Sequence, residues 1–124
     1  YLIYGMYHCV NVSCGPSGFG SAVLIRSLQP IDGIKVMKKL NPKITIDQNL
    51  CRGPGRLCKS MDIDMRHNGK DLQSQSSLWI ESKNIKNHKV IAGPRVGISK
   101  QNRSSNKPWR YGLFQNKYVS LPSI

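Results

Sequence analysis

Acidic residues are scarce in this chain: 6 Asp and Glu stand against 19 Lys and Arg in 124 residues. Glu81 is the one glutamate, and the aspartates are scattered. No paired carboxylates stand out, and His8, His67 and His88 are not grouped with a nucleophile, so no self-sufficient catalytic constellation is visible. Long hydrophobic runs are lacking too, and none approaches the length of a membrane span. The opening Tyr1–Tyr7 has neither a basic leader nor a small-residue cleavage site and does not read as a signal peptide. Cys9, Cys14, Cys51 and Cys58 lack the spacing of a common structural zinc site, and no histidine stands at a matching offset. They read as free thiols of a reducing compartment.

What remains is positive charge. The net charge is +13 and the pI is about 10.0. A surplus of this size concentrates polyanions at the surface, and each neutralised phosphate releases counterions. Nucleic acid is therefore the favoured partner over a merely solvated basic surface. An anionic membrane fits less well, because no basic amphipathic helix of useful length is present.

Along the chain, residues 2–13 are rich in β-formers, and Gly5 interrupts them with a turn or bulge. Residues 14–20 read as loop, and Ser21–Leu28, with its apolar Ala22-Val23-Leu24-Ile25, reads as a buried strand stopped by Pro30. From Asp32, helical spacing puts Ile34, Met37 and Leu40 on one face, and Asn41-Pro42 ends the helix. A second helix is expected from Gly53-Pro54 to Met61, with Pro54 in its first turn and Leu57, Cys58 and Met61 facing the core. Residues 66–77 and 99–108 read as polar loops. Strands are expected at Leu78–Glu81, from Val90-Ile91 through Val96–Ile98, at Trp109–Phe114 and at Lys117–Leu121. The class is α+β, a mostly antiparallel curved sheet with a protruding hairpin and a few short helices. Residue 1 is Tyr, already within apparent sheet, so the chain is expected to be a fragment, residues 1–124 of one incomplete domain whose N-terminal part is missing.

Three features carry chemistry. Tyr1, Tyr4 and Tyr7 cluster, and an aromatic beside Gly5 at a tight turn projects outward, where it can wedge between bases or pack a sheet face. Arg52, Arg56 and Lys59 surround the Gly53-Pro54-Gly55 start of a helix, an arrangement suited to phosphate contact or to a simply solvated helix end. Arg26 follows an apolar strand and needs a partner: a salt bridge, a substrate phosphate or an active-site water.

These stretches together resemble the alkyladenine (3-methyladenine) DNA glycosylase family. Tyr1–Val12 resembles the family's hairpin, Ala22–Pro30 the strand that follows and Leu50–Cys58 the start of a helix. Pro94–Ile98 and Pro108–Tyr111 resemble its late strands, all in the family's order. Residues 14–20, 66–77 and 99–107, and Gly112 and Leu113, depart from the pattern.

The resemblance implies base-excision repair by nucleotide flipping, because the glycosidic bond of a damaged purine cannot be reached within the stack. By the same resemblance, Tyr4 intercalates where the nucleotide leaves, Tyr1 stacks on the flipped base, and Asn11 crowds the exocyclic amino group of guanine. Arg26 sits beside the attacking water and the target phosphate, and Met6 and Tyr7 lie near the DNA. The reaction is hydrolytic, with no metal or other cofactor, and the partner is double-stranded DNA containing damaged purines. The protein is expected to be a monomer inside the cell, in the bacterial cytoplasm (nucleoid) or a eukaryotic nucleus. The family's water-activating glutamate precedes the hairpin and is expected outside this chain; Glu81 does not match its position. The alternative is a non-catalytic basic DNA- or RNA-binding protein.

Overall fold

The computed structural model describes residues 1–83 and 88–120. Its strands are β1 (Leu2–Ile3), β2 (Tyr7–His8), β3 (Asn11–Cys14), β4 (Ser21–Leu24), β5 (Val90–Gly93) and β6 (Arg110–Leu113), and its helices are α1 (Ile34–Leu40) and α2 (Pro54–Ser60). Single 3₁₀ turns occur at Asp47–Asn49 and Met65–His67. The expected α+β class holds, with antiparallel pairing throughout the described strands. The pairing is divided, however: β1–β2, β3–β4 and β5–β6 are separate two-stranded ladders, not one continuous sheet.

The core is built around α2. Leu57 and Cys58 from the helix, Leu50 and Cys51 before it, and Ile63 after it are buried together. Ile34 and Met37 of α1, with Val10, Ile25, Met61 and Leu78, pack around this cluster. The helical spacing in α1 thus faces the core as expected, except that Leu40, at the last turn, is exposed.

A buried polar relay locks the two helices together. The Asn41 side chain, at the end of α1, donates through Nδ2 to Ser60 Oγ at 3.3 Å. Ser60 Oγ in turn donates to the Leu50 carbonyl at 2.8 Å. A buried hydroxyl and amide without such partners would each carry an uncompensated desolvation cost, so the relay lets polar groups sit inside the core.

Several expected strands are corrected. Ser21–Leu28 is not a buried strand: β4 ends at Leu24 and Ala22 and Val23 are exposed, because β3–β4 is a two-stranded ribbon and the chain reaches the core only beyond it, at Ile25. The chain touches β structure again at Ser27, which bridges Arg52, and the Leu28 N–H donates to the Cys51 carbonyl at 3.1 Å. Leu78–Glu81, Val96–Ile98 and 117–120 are turns or irregular chain, and Gly97 has φ 74°. Leu121 lies outside the described residues. These segments have β-forming side chains but, among the described residues, no strand beside them to complete a ladder, and β-propensity expresses itself only against a neighbour.

Candidate nucleic-acid interface

The first hairpin is closed by a turn at Ile3–Met6, in which the Met6 N–H donates to the Ile3 carbonyl at 3.1 Å. Both central residues have positive φ, 52° at Tyr4 and 66° at Gly5. This primed geometry matches the twist of a two-stranded ribbon, and its first central position ordinarily favours Asn, Asp or Gly. A tyrosine held there pays about 1–2 kcal/mol of backbone strain. Its side chain gains nothing from the core in return: Tyr4 is 86% exposed at the tip. Met6 and Tyr7 beside it are also exposed. The outward aromatic expected from the Tyr-Gly pair is therefore present.

The hairpin is seated on α2. A Cβ placed on Gly55 would come within 3.2 Å of the Tyr7 ring, so the absence of a side chain at Gly55 is what lets Tyr7 and the strand β2 come down onto the helix. At the open end of the hairpin the Cys9 N–H donates to the Tyr1 carbonyl at 2.9 Å. Here a cavity of about 370 Å³ begins, a size that suits a small ligand such as a nucleobase. Tyr1 and Asn11 both line it, and so do His8 and Cys9. Partial burial and the neighbouring Cys9 thiol push the Tyr1 hydroxyl above its ordinary range.

The rest of the cavity's lining includes residues that carry no functional signal in the sequence. Asp64, His67 and Lys70 line the same cavity. Asp64 caps the 3₁₀ turn that follows it: its carboxylate accepts from the Arg66 N–H at 2.9 Å, and the Asp64 N–H donates to His67 Nδ1 at 3.4 Å. Arg66 Nε adds a second bond to the same carboxylate, and these contacts hold the Asp64 carboxyl down at about 2. The S/T/D-x-x-E pattern that advertises such a cap is disguised here, because His67 fills the place of the usual Glu or Gln.

Arg26 and Arg52 are half-buried and lie together, since Ser27 bridges Arg52. Among the described residues no carboxylate pairs with either, so the salt bridge considered for Arg26 is not what holds it. Arg26 Nε instead donates to Ser120 Oγ at 3.4 Å, and Arg52 Nε to the Val119 carbonyl at 3.0 Å. Arg56 and Lys59 are exposed on α2, three residues apart and therefore on one side of the helix. The helix is only two turns long, so these side chains, not its dipole, carry whatever attraction it has for an anion. All four cysteines are free, and burial pushes the Cys58 thiol up to about 11 and raises Cys51.

The hairpin thus carries an exposed, strained aromatic at its tip and a cavity at its open end, and the chain holds two arginines without carboxylate partners among the described residues. Residues 1–117 match the family model described as methylpurine-DNA glycosylase (MPG), and the chain belongs to that family. A protein of Bacillus mycoides, provisionally named 3-methyladenine DNA glycosylase, is 41% identical over 129 residues, covering 97% of this chain and 63% of its own length. Counterparts with the same provisional name are 35% identical in Alkaliphilus oremlandii, over 97% of this chain and 62% of their own, and 38% in Burkholderia lata, over 98% and 58%. The chain thus spans about three-fifths of the length of the curated relatives it matches.

Proposed function

We propose that this chain forms the base-holding and helix-intercalating part of a DNA glycosylase that hydrolyses the N-glycosidic bond of alkylated or deaminated purines in double-stranded DNA. The observation that carries the reading is Tyr4, fully projecting from a hairpin tip in a backbone conformation that folding alone disfavours. Tyr4 enters the duplex and occupies the space of the departing nucleotide. The flipped purine stacks on Tyr1, and the Asn11 amide crowds an exocyclic amino group, which bars guanine. Met6 and Tyr7 lie along the groove, while Arg52, Arg56 and Lys59 neutralise phosphates. Arg26 holds the target phosphate and the attacking water.

The reaction is the attack of water on the sugar carbon as the free base leaves. Glu81 is exposed and does not line the cavity, so it does not serve as the base that activates this water. In this reading the protein works as a monomer on DNA inside the cell. No helix among the described residues is long and apolar enough to cross a membrane.

The test is a comparison of wild type with Tyr4→Ala on a duplex carrying a stable abasic analogue and on an undamaged duplex of the same sequence. Wild type is expected to prefer the abasic duplex, and Tyr4→Ala to lose that preference while keeping salt-dependent binding to both. Equal binding of both duplexes by wild type would return the protein to the class of non-catalytic basic DNA- or RNA-binding proteins.

A further inference from the structure

The closing segment of the described chain lies across two arginines. Ser120 Oγ accepts from Arg26 Nε at 3.4 Å, and its neighbour Val119 accepts from Arg52 Nε at 3.0 Å through its carbonyl. The segment is itself pinned three residues earlier, where Gln48 Nε2 donates to the Lys117 carbonyl at 2.7 Å. Ser120 is buried, although its side chain is small and polar. Arg26 precedes Ser27, the residue that bridges Arg52, so both guanidinium groups are gripped by adjacent residues of one strap.

The chemistry of the grip is selective. A guanidinium donates from Nε and from both Nη groups. Here each Nε is satisfied by a neutral acceptor, which fixes the plane of the group without cancelling its charge. The Nη groups are left to make charge-assisted bonds to an anion, the geometry in which arginine binds phosphate best. Had the strap carried a carboxylate at 120, it would have neutralised the pair instead of aiming it.

We infer that Ser120 is a positioning residue: with the Val119 carbonyl it orients Arg26 and Arg52 so that their Nη groups converge on one DNA phosphate. The inference rests on the reading of Arg26 as a phosphate-contacting residue and adds the part of the chain that aims it.

Ser120→Thr and Ser120→Val test it as a pair, because the two side chains have nearly the same shape and only threonine retains the hydroxyl. Affinity for the abasic-analogue duplex is measured at several salt concentrations, alone and in an Arg26→Ala background. Ser120→Val is expected to weaken binding by roughly threefold to tenfold, because a bond from the guanidinium at 3.4 Å is long and contributes no more than an ordinary hydrogen bond. Ser120→Thr should hold near wild type. In the Arg26→Ala background the two variants should bind alike, since the hydroxyl then has nothing to aim.

A second readout does not depend on DNA: the Arg26 Nε–H resonance should be slow to exchange in wild type and fast in Ser120→Val. Equal weakening by Ser120→Val with and without Arg26 would overturn the inference, as would wild-type binding by Ser120→Val. If Arg26→Ala leaves affinity unchanged, Arg26 does not touch DNA and both this inference and that part of the proposed function fall. If Arg26→Ala weakens binding while Ser120→Val does not, only the positioning role is lost.

Discussion

The Tyr7 ring rests directly on the backbone of Gly55, at a separation that leaves no room for even a methyl group without a shift. The contact joins the hairpin to the buried core, because Gly55 lies in the same turn of α2 as Leu57 and Cys58, two and three residues ahead of them. Tyr7 is about half exposed, so its ring can move outward if pressed. Gly55→Ala is therefore expected to cost little stability, the helix gaining up to about 1 kcal/mol that offsets the shift. It should nevertheless tilt the hairpin and weaken binding to an abasic duplex. Thermal melting and DNA affinity measured on one preparation check this: loss of both in equal measure, or of neither, would contradict it.

At Tyr4 folding opposes the proposed insertion into DNA. Replacing it with Asn should stabilise the chain by about 1 kcal/mol, because asparagine accepts the left-handed conformation that tyrosine resists. The same change should abolish the preference for an abasic duplex. A rise in melting temperature together with a loss of binding is the expected pair of results. A fall in melting temperature would show that the Tyr4 side chain contributes to folding after all.

The Asn41–Ser60–Leu50 relay predicts an internal asymmetry. Ser60→Ala should destabilise the chain by about 1–3 kcal/mol, since it strands both the Asn41 amide and the Leu50 carbonyl inside the core. Asn41→Ala should cost less, because Ser60 keeps its bond to Leu50. Denaturant unfolding of the two variants gives the order, and the reverse order would break the argument.

Asp64 gives a pH window. Its carboxyl is held at about 2 against an ordinary value of 3.8, by the Arg66 side chain first and the Arg66 N–H second. A depressed folded value means the stabilisation is complete above 3.8 and is lost as pH falls towards 2. The difference in melting temperature between wild type and Asp64→Asn should therefore be constant near neutrality and shrink across that window. Because the site is exposed, added salt should reduce the difference at neutral pH. A difference that persists unchanged to pH 2 would mean that the carboxylate charge plays no part.

The hairpin was legible because its signals are local: a Tyr-Gly pair between β-formers specifies a turn, and the turn decides where Tyr4 points. Tyr1 and Asn11 could be paired as pocket residues only through family resemblance, and the cavity they share is assembled from chain as distant as Asp64–Leu72. Most of those residues fall in the stretch 66–77 that reads as polar loop, because a 3₁₀ turn of three residues leaves no periodicity to detect. Leu78–Glu81 and 117–120 differ from expectation for the opposite reason. Their composition suits strands, but a strand exists only with a neighbour, and sequence composition does not name one. The position of Arg26 after an apolar run calls for a partner, and that partner is a hydroxyl 94 residues away, which local sequence cannot name.

The left-handed tyrosine also makes the hairpin tip a recorder of selection. Single-nucleotide changes in a tyrosine codon reach Asn and Asp, both of which relax the turn at Tyr4. In a lineage where the role proposed for Tyr4 at the duplex had lapsed, nothing would resist that drift. The codon for Tyr4 should decay early in such a lineage, while the buried Leu57 is still held in place by the need to fold.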